Sequence, residues 1–149
     1  MKIWLMRHAE SLFNIGASNE KDVGLSENGK IQASSVEKEI EIVICSPLRR
    51  CRETLQYSQI KYQKLIIDPL VREMKIDTSD FLADEDEIVE TEQDMMVRVE
   101  LFKNRLRKYK ESTILVITHS DFIWYLTSYL YGNERYGKYT RNAEIIESL

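Results

Sequence analysis

Lys2-Ile3-Trp4-Leu5-Met6-Arg7-His8 opens the chain with an apolar, strand-like run that ends on an arginine and a histidine. The construction returns once, where Ile114-Leu115-Val116-Ile117-Thr118 runs into His119. His8 and His119 are the only two histidines in the sequence. A third apolar run, Ile42-Val43-Ile44-Cys45, empties into Ser46-Pro47-Leu48-Arg49-Arg50. In an open α/β sheet, ligands bind outside the carboxyl ends of the parallel strands. If these three strands are parallel neighbours, two imidazoles and two or three guanidiniums meet at one sheet edge. That composition suits attack on, and retention of, a phosphoryl group.

Working outward, apolar runs predict strands over 2–6, 41–45, 64–67 and 113–118, with a late one over 143–147. Helical periodicity predicts helices over 26–39, 47–59, 92–110 and 121–131. The helix after the third run is the best marked. Ser46 reads as its N-cap and Pro47 as its first residue, while Leu48, Cys51 and Leu55 give it a core face. Met95, Val99, Phe102, Leu106 and Tyr109 form the core stripe of the third helix. Strands alternating with helices predict βαβ units and an α/β fold with a mostly parallel central sheet. The acidic stretch 77–92 reads as a solvated loop.

At 149 residues, without a repeat or a Pro/Gly/Ser linker, the expectation is one domain over residues 1–149. Apolar residues make up 43% and charged residues 31%, as in a globular protein. A net charge of -4 argues against nucleic acid and anionic membrane surfaces as partners. No apolar run approaches the roughly 20 residues that span a bilayer. The first residues become charged too soon for a secretory signal. Two cysteines, Cys45 and Cys51, make no disulfide framework. A soluble, cytoplasmic protein is the expectation, and its oligomeric state is left open.

Arg49 and Arg50 fall near the start of a helix, where cations oppose the positive end of the dipole at about 0.3–1 kcal/mol each. A bound phosphate reverses that sign, because helix N-termini and guanidinium forks both favour the anion. A neutral imidazole can attack phosphorus directly, if it is held unprotonated and in one tautomer. Nearby guanidiniums assist by lowering its pKa and neutralising developing charge. Arg7, next to His8, and Arg50 fit that need.

Leu5-Met6-Arg7-His8-Ala9-Glu10-Ser11-Leu12-Phe13-Asn14 resembles the opening signature of the histidine phosphatase superfamily, the phosphoglycerate-mutase-like proteins. The block from Gly24 to Ala33 is similar to the family's next block, and Ser46 to Leu55 resembles its second-arginine helix. Thr118-His119-Ser120 resembles its late histidine. The resemblance implies a three-layer α/β/α sandwich and chemistry with no cofactor and no metal. It implies that His8 is the nucleophile and that Arg7, Arg50 and His119 complete a phosphate pocket, with Asn14 a further contact. Arg50 occupies the family's matching position, and Arg49 its variable slot. Glu73 matches the family's proton donor; Asp77, Asp80 and Asp84 are alternatives among the many carboxylates nearby. Ala9 and Ser120 replace common glycines, and the loop after Glu73 is acidic instead of glycine- and tryptophan-containing. The chain lacks the long insertions of the cofactor-dependent mutases.

Other phosphate chemistries fail on register. A cysteine nucleophile needs an arginine six positions on, but Cys45 plus six is Cys51. Two separated histidines flanked by arginines make a poor cation site. No Gly-rich turn follows the first strand. The sequence therefore predicts a metal-independent phosphomonoester hydrolase for a small phosphorylated substrate, working through a phosphohistidine. Its rivals are a non-catalytic phosphate-binding or adaptor protein, a phosphohistidine protein phosphatase and a phosphoglycerate-type mutase.

Overall fold

The computed structural model describes residues 1–18, 21–76 and 89–148. Strands β1 (Lys2–Arg7), β2 (Glu37–Cys45), β3 (Gln59–Ile67), β4 (Thr113–Thr118) and β7 (Ile145–Ser148) form one sheet in the order β3-β2-β4-β1-β7. All neighbours are parallel except β7, which runs antiparallel to β1. Helices α1 (Glu27–Ser34), α2 (Arg49–Tyr57), α3 (Glu92–Leu106) and α4 (Ser120–Leu126) flank the sheet. The fold is thus α/β with a mostly parallel sheet, as the alternation of elements predicts.

The central strand β4 shows why layers form on both sides. Its Ile114 and Val116 pack with Met95, Val99, Phe102, Phe122 and Ile123 of α3 and α4. Leu115 and Ile117 point the other way, onto Cys51 and Leu55 of α2. Period-two alternation of apolar residues buries both faces of one strand. The predicted α3 stripe is confirmed: Met95, Val99, Phe102 and Leu106 are buried, and Tyr109 packs against them.

Several element boundaries differ from expectation, each for a local reason. The helix expected over 26–39 stops at Ser34, where the Ser34 and Ser35 hydroxyls donate to the Ile31 and Gln32 carbonyls at 2.6 and 2.8 Å. These bonds occupy acceptors that another turn would need. Glu37, Lys38 and Glu39 instead begin β2 and pair with Gln59, Ile60 and Lys61 of β3. The third helix ends at Leu106 rather than at 110. The last ends at Leu126 rather than at 131, and Tyr129–Tyr131 (β5) pairs with Glu134–Tyr136 (β6). Gly132, at φ +64°, starts the two-residue turn between them and makes it a II′ hairpin. The loop read over 77–92 lies outside the described residues from 77 to 88, and its end enters α3 at Glu92.

Among the described residues, no helix is long and apolar enough to cross a membrane.

Candidate active site

The register of the sheet brings the sequence motifs together. Arg7 pairs with Thr118, and Cys45 with Ile117, so β1, β2 and β4 end at one level. His8, Ser46 and His119 are the next residue on each. The His8 N–H donates to the Thr118 carbonyl at 3.1 Å, and the Ser46 N–H to the Ile117 carbonyl at 3.0 Å. Ladder bonds thus fix the backbones of His8 and Ser46 against the end of β4.

The neighbouring arginines separate. α2 starts at Arg49, two residues later than the sequence predicts, because Leu48 is extended, at φ -69° and ψ 143°. Leu48, not Ser46, is the N-cap, and it makes no side-chain capping bond. Arg49 and Arg50 therefore occupy the first two helical positions, the worst places for cations without an anion. The Arg49 side chain is 57% exposed and pairs with Glu53 at 2.5 Å. Arg50 is 1% exposed and turns inward to Glu73 Oε2 at 3.1 Å and His119 Nδ1 at 3.3 Å.

Four predicted residues converge. Besides the Arg50 contacts, Glu73 Oε2 lies 3.2 Å from His119 Nδ1, and the His8 and His119 ring centroids are 5.4 Å apart at 62°. His8 Nδ1 lies 2.7 Å from the Ala9 carbonyl oxygen. A carbonyl only accepts, so Nδ1 carries the proton and Nε2 keeps its lone pair. Burial, then the neighbouring His119 and Arg50, push the His8 pKa well below its ordinary value, against the pull of the Ala9 carbonyl and Glu73. Burial also lowers His119, to about 4, with Arg50 adding to it and Glu73 opposing. Both rings are neutral at pH 7.

Glu73 behaves differently from a preformed acid. Burial alone would raise its pKa, but His119, Arg50 and His8 outweigh that and hold the carboxyl well below the usual carboxylate range. The carboxylate is therefore ionised in the ligand-free pocket. Arg98 of α3, 5% exposed, fixes the segment that carries it by donating to the carbonyls of Leu70 and Arg72 at 2.9 and 2.7 Å. Glu90 balances Arg98 through two bonds of 2.9 Å. An arginine inside the apolar stripe of α3 was the available signal for this support. The alternative acids Asp77, Asp80 and Asp84 lie outside the described residues.

The side chains of Arg7 and Asn14 have partners other than these four residues. Arg7 Nη1 donates to the Thr140 carbonyl at 2.9 Å and to the Tyr139 hydroxyl at 3.3 Å, and its buried Nε has no hydrogen-bond partner among the described residues. Asn14 is exposed, and its Oδ1 accepts from the Ser11 N–H at 3.0 Å. Sequence reasoning missed Asn142, whose Nδ2 donates to the His8 carbonyl at 3.1 Å and to Asn14 Oδ1 at 3.3 Å. It ties the 11–18 loop and the segment before β7 to the backbone of His8. Nothing local in the sequence marks it, since it lies 134 residues from His8.

The turn after His8 is packed from both sides. The Ala9 N–H donates to Thr54 Oγ1 at 2.9 Å, and Thr54 donates to the Arg50 carbonyl at 2.7 Å. On the other side α1 approaches so closely that a Cβ on Gly29 would lie 1.9 Å from the Glu10 carbonyl oxygen. Only glycine fits there.

A buried pair of imidazoles beside an inward-turned guanidinium, at the carboxyl edge of a mostly parallel sheet, is the arrangement the sequence leads one to expect of a phosphate pocket. Residues 3–88, more than half of the chain, match the model of the histidine phosphatase superfamily (branch 1), and the protein belongs to that family of phosphatases. Among solved structures, it is similar to a proposed alpha-ribazole-5′-P phosphatase from Escherichia coli K-12, with 25% identity and a TM-score of 0.65 over 85% of this chain and 77% of that one. The alpha-ribazole phosphatase of Shigella flexneri follows at 22% identity and a TM-score of 0.64, covering 82% and 75%. The protein histidine phosphatase SixA, complexed with tungstate, aligns over 99% of this chain and 86% of its own, at 19% identity and a TM-score of 0.61. No curated protein sequence matches the chain.

Proposed function

We propose that the protein is a metal-independent phosphomonoesterase that passes the phosphoryl group through His8. The observation that carries this reading is the state of His8: its Nδ1–H is committed to the Ala9 carbonyl, and burial keeps the ring neutral, so Nε2 is a nucleophile with no proton to lose. Nε2 attacks phosphorus, the N–P bond forms, and the bond to the leaving oxygen breaks. Arg7, Arg50 and His119 stabilise the phosphoryl oxygens, with Asn14 a further contact.

Glu73 protonates the leaving oxygen. Its carboxylate is ionised before substrate binds, so it takes up its proton from solvent as the substrate enters. An entering phosphate dianion competes for Arg50 and places negative charge beside the carboxylate, and both effects raise its proton affinity. In the second step water attacks phosphorus, Glu73 accepts its proton, and the bond to His8 breaks.

The substrate class proposed is a small phosphate monoester. The ionised Glu73 favours one further reading, a phosphohistidine side chain as substrate, whose leaving group needs less help from an acid.

The test is turnover of an aryl phosphate in excess chelator by wild type and His8→Ala. Wild type is expected to turn over and the variant to fall by more than about 10³-fold. No turnover by wild type would support a phosphate-binding protein instead, and chelator-sensitive turnover a metal mechanism.

A further inference from the structure

Ser46 was read from sequence as a helix cap, yet it caps nothing in the helical sense. Its hydroxyl, fully buried, sits 2.9 Å from His119 Nε2 and 3.3 Å from the Leu48 N–H. The same ring nitrogen has a second neighbour, Cys51 Sγ, at 3.5 Å. His119 thus meets a hydroxyl and a thiol on one nitrogen, and a carboxylate and a guanidinium on the other.

Hydrogen-bond bookkeeping selects one tautomer. The Glu73 carboxylate can only accept, and Arg50 already donates to it at 3.1 Å. At 3.2 Å, a lone pair on His119 Nδ1 would face that anion and repel it, whereas an Nδ1–H attracts it; Arg50 Nη2, 3.3 Å from the same nitrogen and unable to accept, pulls the other way and gives its hydrogen to Glu73 when Nδ1 is protonated. Nε2 then needs a donor. The Leu48 N–H already donates to Ser46 Oγ, which leaves the hydroxyl hydrogen free to point at Nε2. The Cys51 thiol has its own acceptor, the Thr118 carbonyl at 3.6 Å. In the opposite tautomer two donors would converge on Ser46 Oγ while its own hydrogen lost its acceptor on the ring.

We infer that Ser46, by donating to Nε2, fixes His119 as the Nδ1–H tautomer and so presents an N–H donor to the pocket. Ser46 is a positioning residue: it acts through His119 and does not touch the phosphoryl group. The inference rests on the proposed function for its catalytic consequence, because an Nδ1–H can donate to a phosphoryl oxygen once substrate draws Glu73 away. Its structural half stands by itself, since the tautomer is a property of the ligand-free protein.

The experiment is a two-bond proton–nitrogen correlation spectrum of the full chain labelled with ¹⁵N-histidine, without phosphate. With only two histidines the assignment is immediate, and His8→Asn checks it. In wild type the expected pattern for His119 is a protonated Nδ1 and an unprotonated Nε2. Ser46→Ala should shift the ring toward a mixture of tautomers and lower kcat on an aryl phosphate by about 10–100-fold, as wrong-tautomer and outer-shell changes do. Ser46→Thr, which keeps the hydroxyl, should restore both the spectrum and the rate. Cys51→Ala should leave the tautomer unchanged. A protonated Nε2 in wild type would overturn the assignment before any variant is made. So would a wild-type pattern in Ser46→Ala, or loss of the pattern in Cys51→Ala alone. If the tautomer follows this pattern but wild type turns over no phosphate ester, the phosphatase reading fails and the tautomer assignment stands.

Discussion

The ends of β1 and β4 carry the same residue type, one step beyond paired positions of adjacent strands, but wire it differently. At the β1 end, His8 spends one nitrogen on a backbone carbonyl, and among the described residues the other has no hydrogen-bond partner. At the β4 end, His119 has both nitrogens engaged, with Ser46 on one and Glu73 and Arg50 on the other. Both rings are buried and held neutral, so burial and pKa do not distinguish them. What separates them is the number of uncommitted lone pairs. A nucleophile needs one, and a phosphate donor needs an N–H.

The comparison breaks first at the histidines themselves. His8→Ala is expected to lose more than about 10³-fold in kcat/KM on an aryl phosphate, whereas His119→Ala, losing one stabilising donor, should lose about 10²–10³-fold and retain measurable turnover. Equal residual rates would erase the distinction. Next comes Glu73→Gln, expected to lower the rate on an alkyl phosphate by about 10²–10⁴-fold and on a good aryl leaving group much less. An equal loss on both would move the proton donor elsewhere.

Stability sharpens the comparison from another side. In the unfolded chain a histidine takes up its proton as the pH falls through 6.5, whereas folded His119 resists until about 4. The unfolded state therefore gains protons first, and stability declines from pH 6.5 downwards, by an amount of the order of 3 kcal/mol for His119. His8 adds to the decline in the same direction. Below about pH 4.5 the loss of the ionised Glu73 continues it, since its folded pKa is lowered. Urea unfolding at several pH values measures this, and His119→Asn should flatten the slope above pH 4. The smallest effect belongs to Asn142→Ala, which removes one of two donors on the His8 carbonyl, the Ala143 N–H keeping the other at 3.1 Å, and is expected to cost about tenfold in kcat/KM by loosening the nucleophile's backbone.

How much of this was legible follows from the range of each interaction. The three strand ends were readable because apolar runs and their terminal His and Arg residues are contiguous, and the sheet register does the rest. Arg50 was readable by its place in a motif, but its inward turn, opposite to Arg49, depends on a partner 23 residues away. Glu37 to Glu39 looked helical because charged residues tolerate a helix; pairing with β3 decided otherwise. The Tyr131-Gly132-Asn133-Glu134 turn was a local hairpin signal hidden inside an apolar stretch. Ser46 had the right chemistry for a cap, and only the approach of His119 gave its hydroxyl another use. Asn142 acts through the backbone carbonyl of a distant segment, a contact that leaves no pattern along the chain, whereas Arg98 shows itself as a charge beside the apolar stripe of α3 but its carbonyl partners do not.

The central claim is a covalent phosphoryl group on His8 Nε2, and it can be trapped. Wild type mixed with a ³²P-labelled aryl phosphate and quenched in alkali, where phosphohistidine survives, should carry label on the peptide containing His8. The label should disappear on acid treatment and be absent from His8→Ala. Label on any other residue, or full turnover with no covalent label at any quench time, would contradict the account.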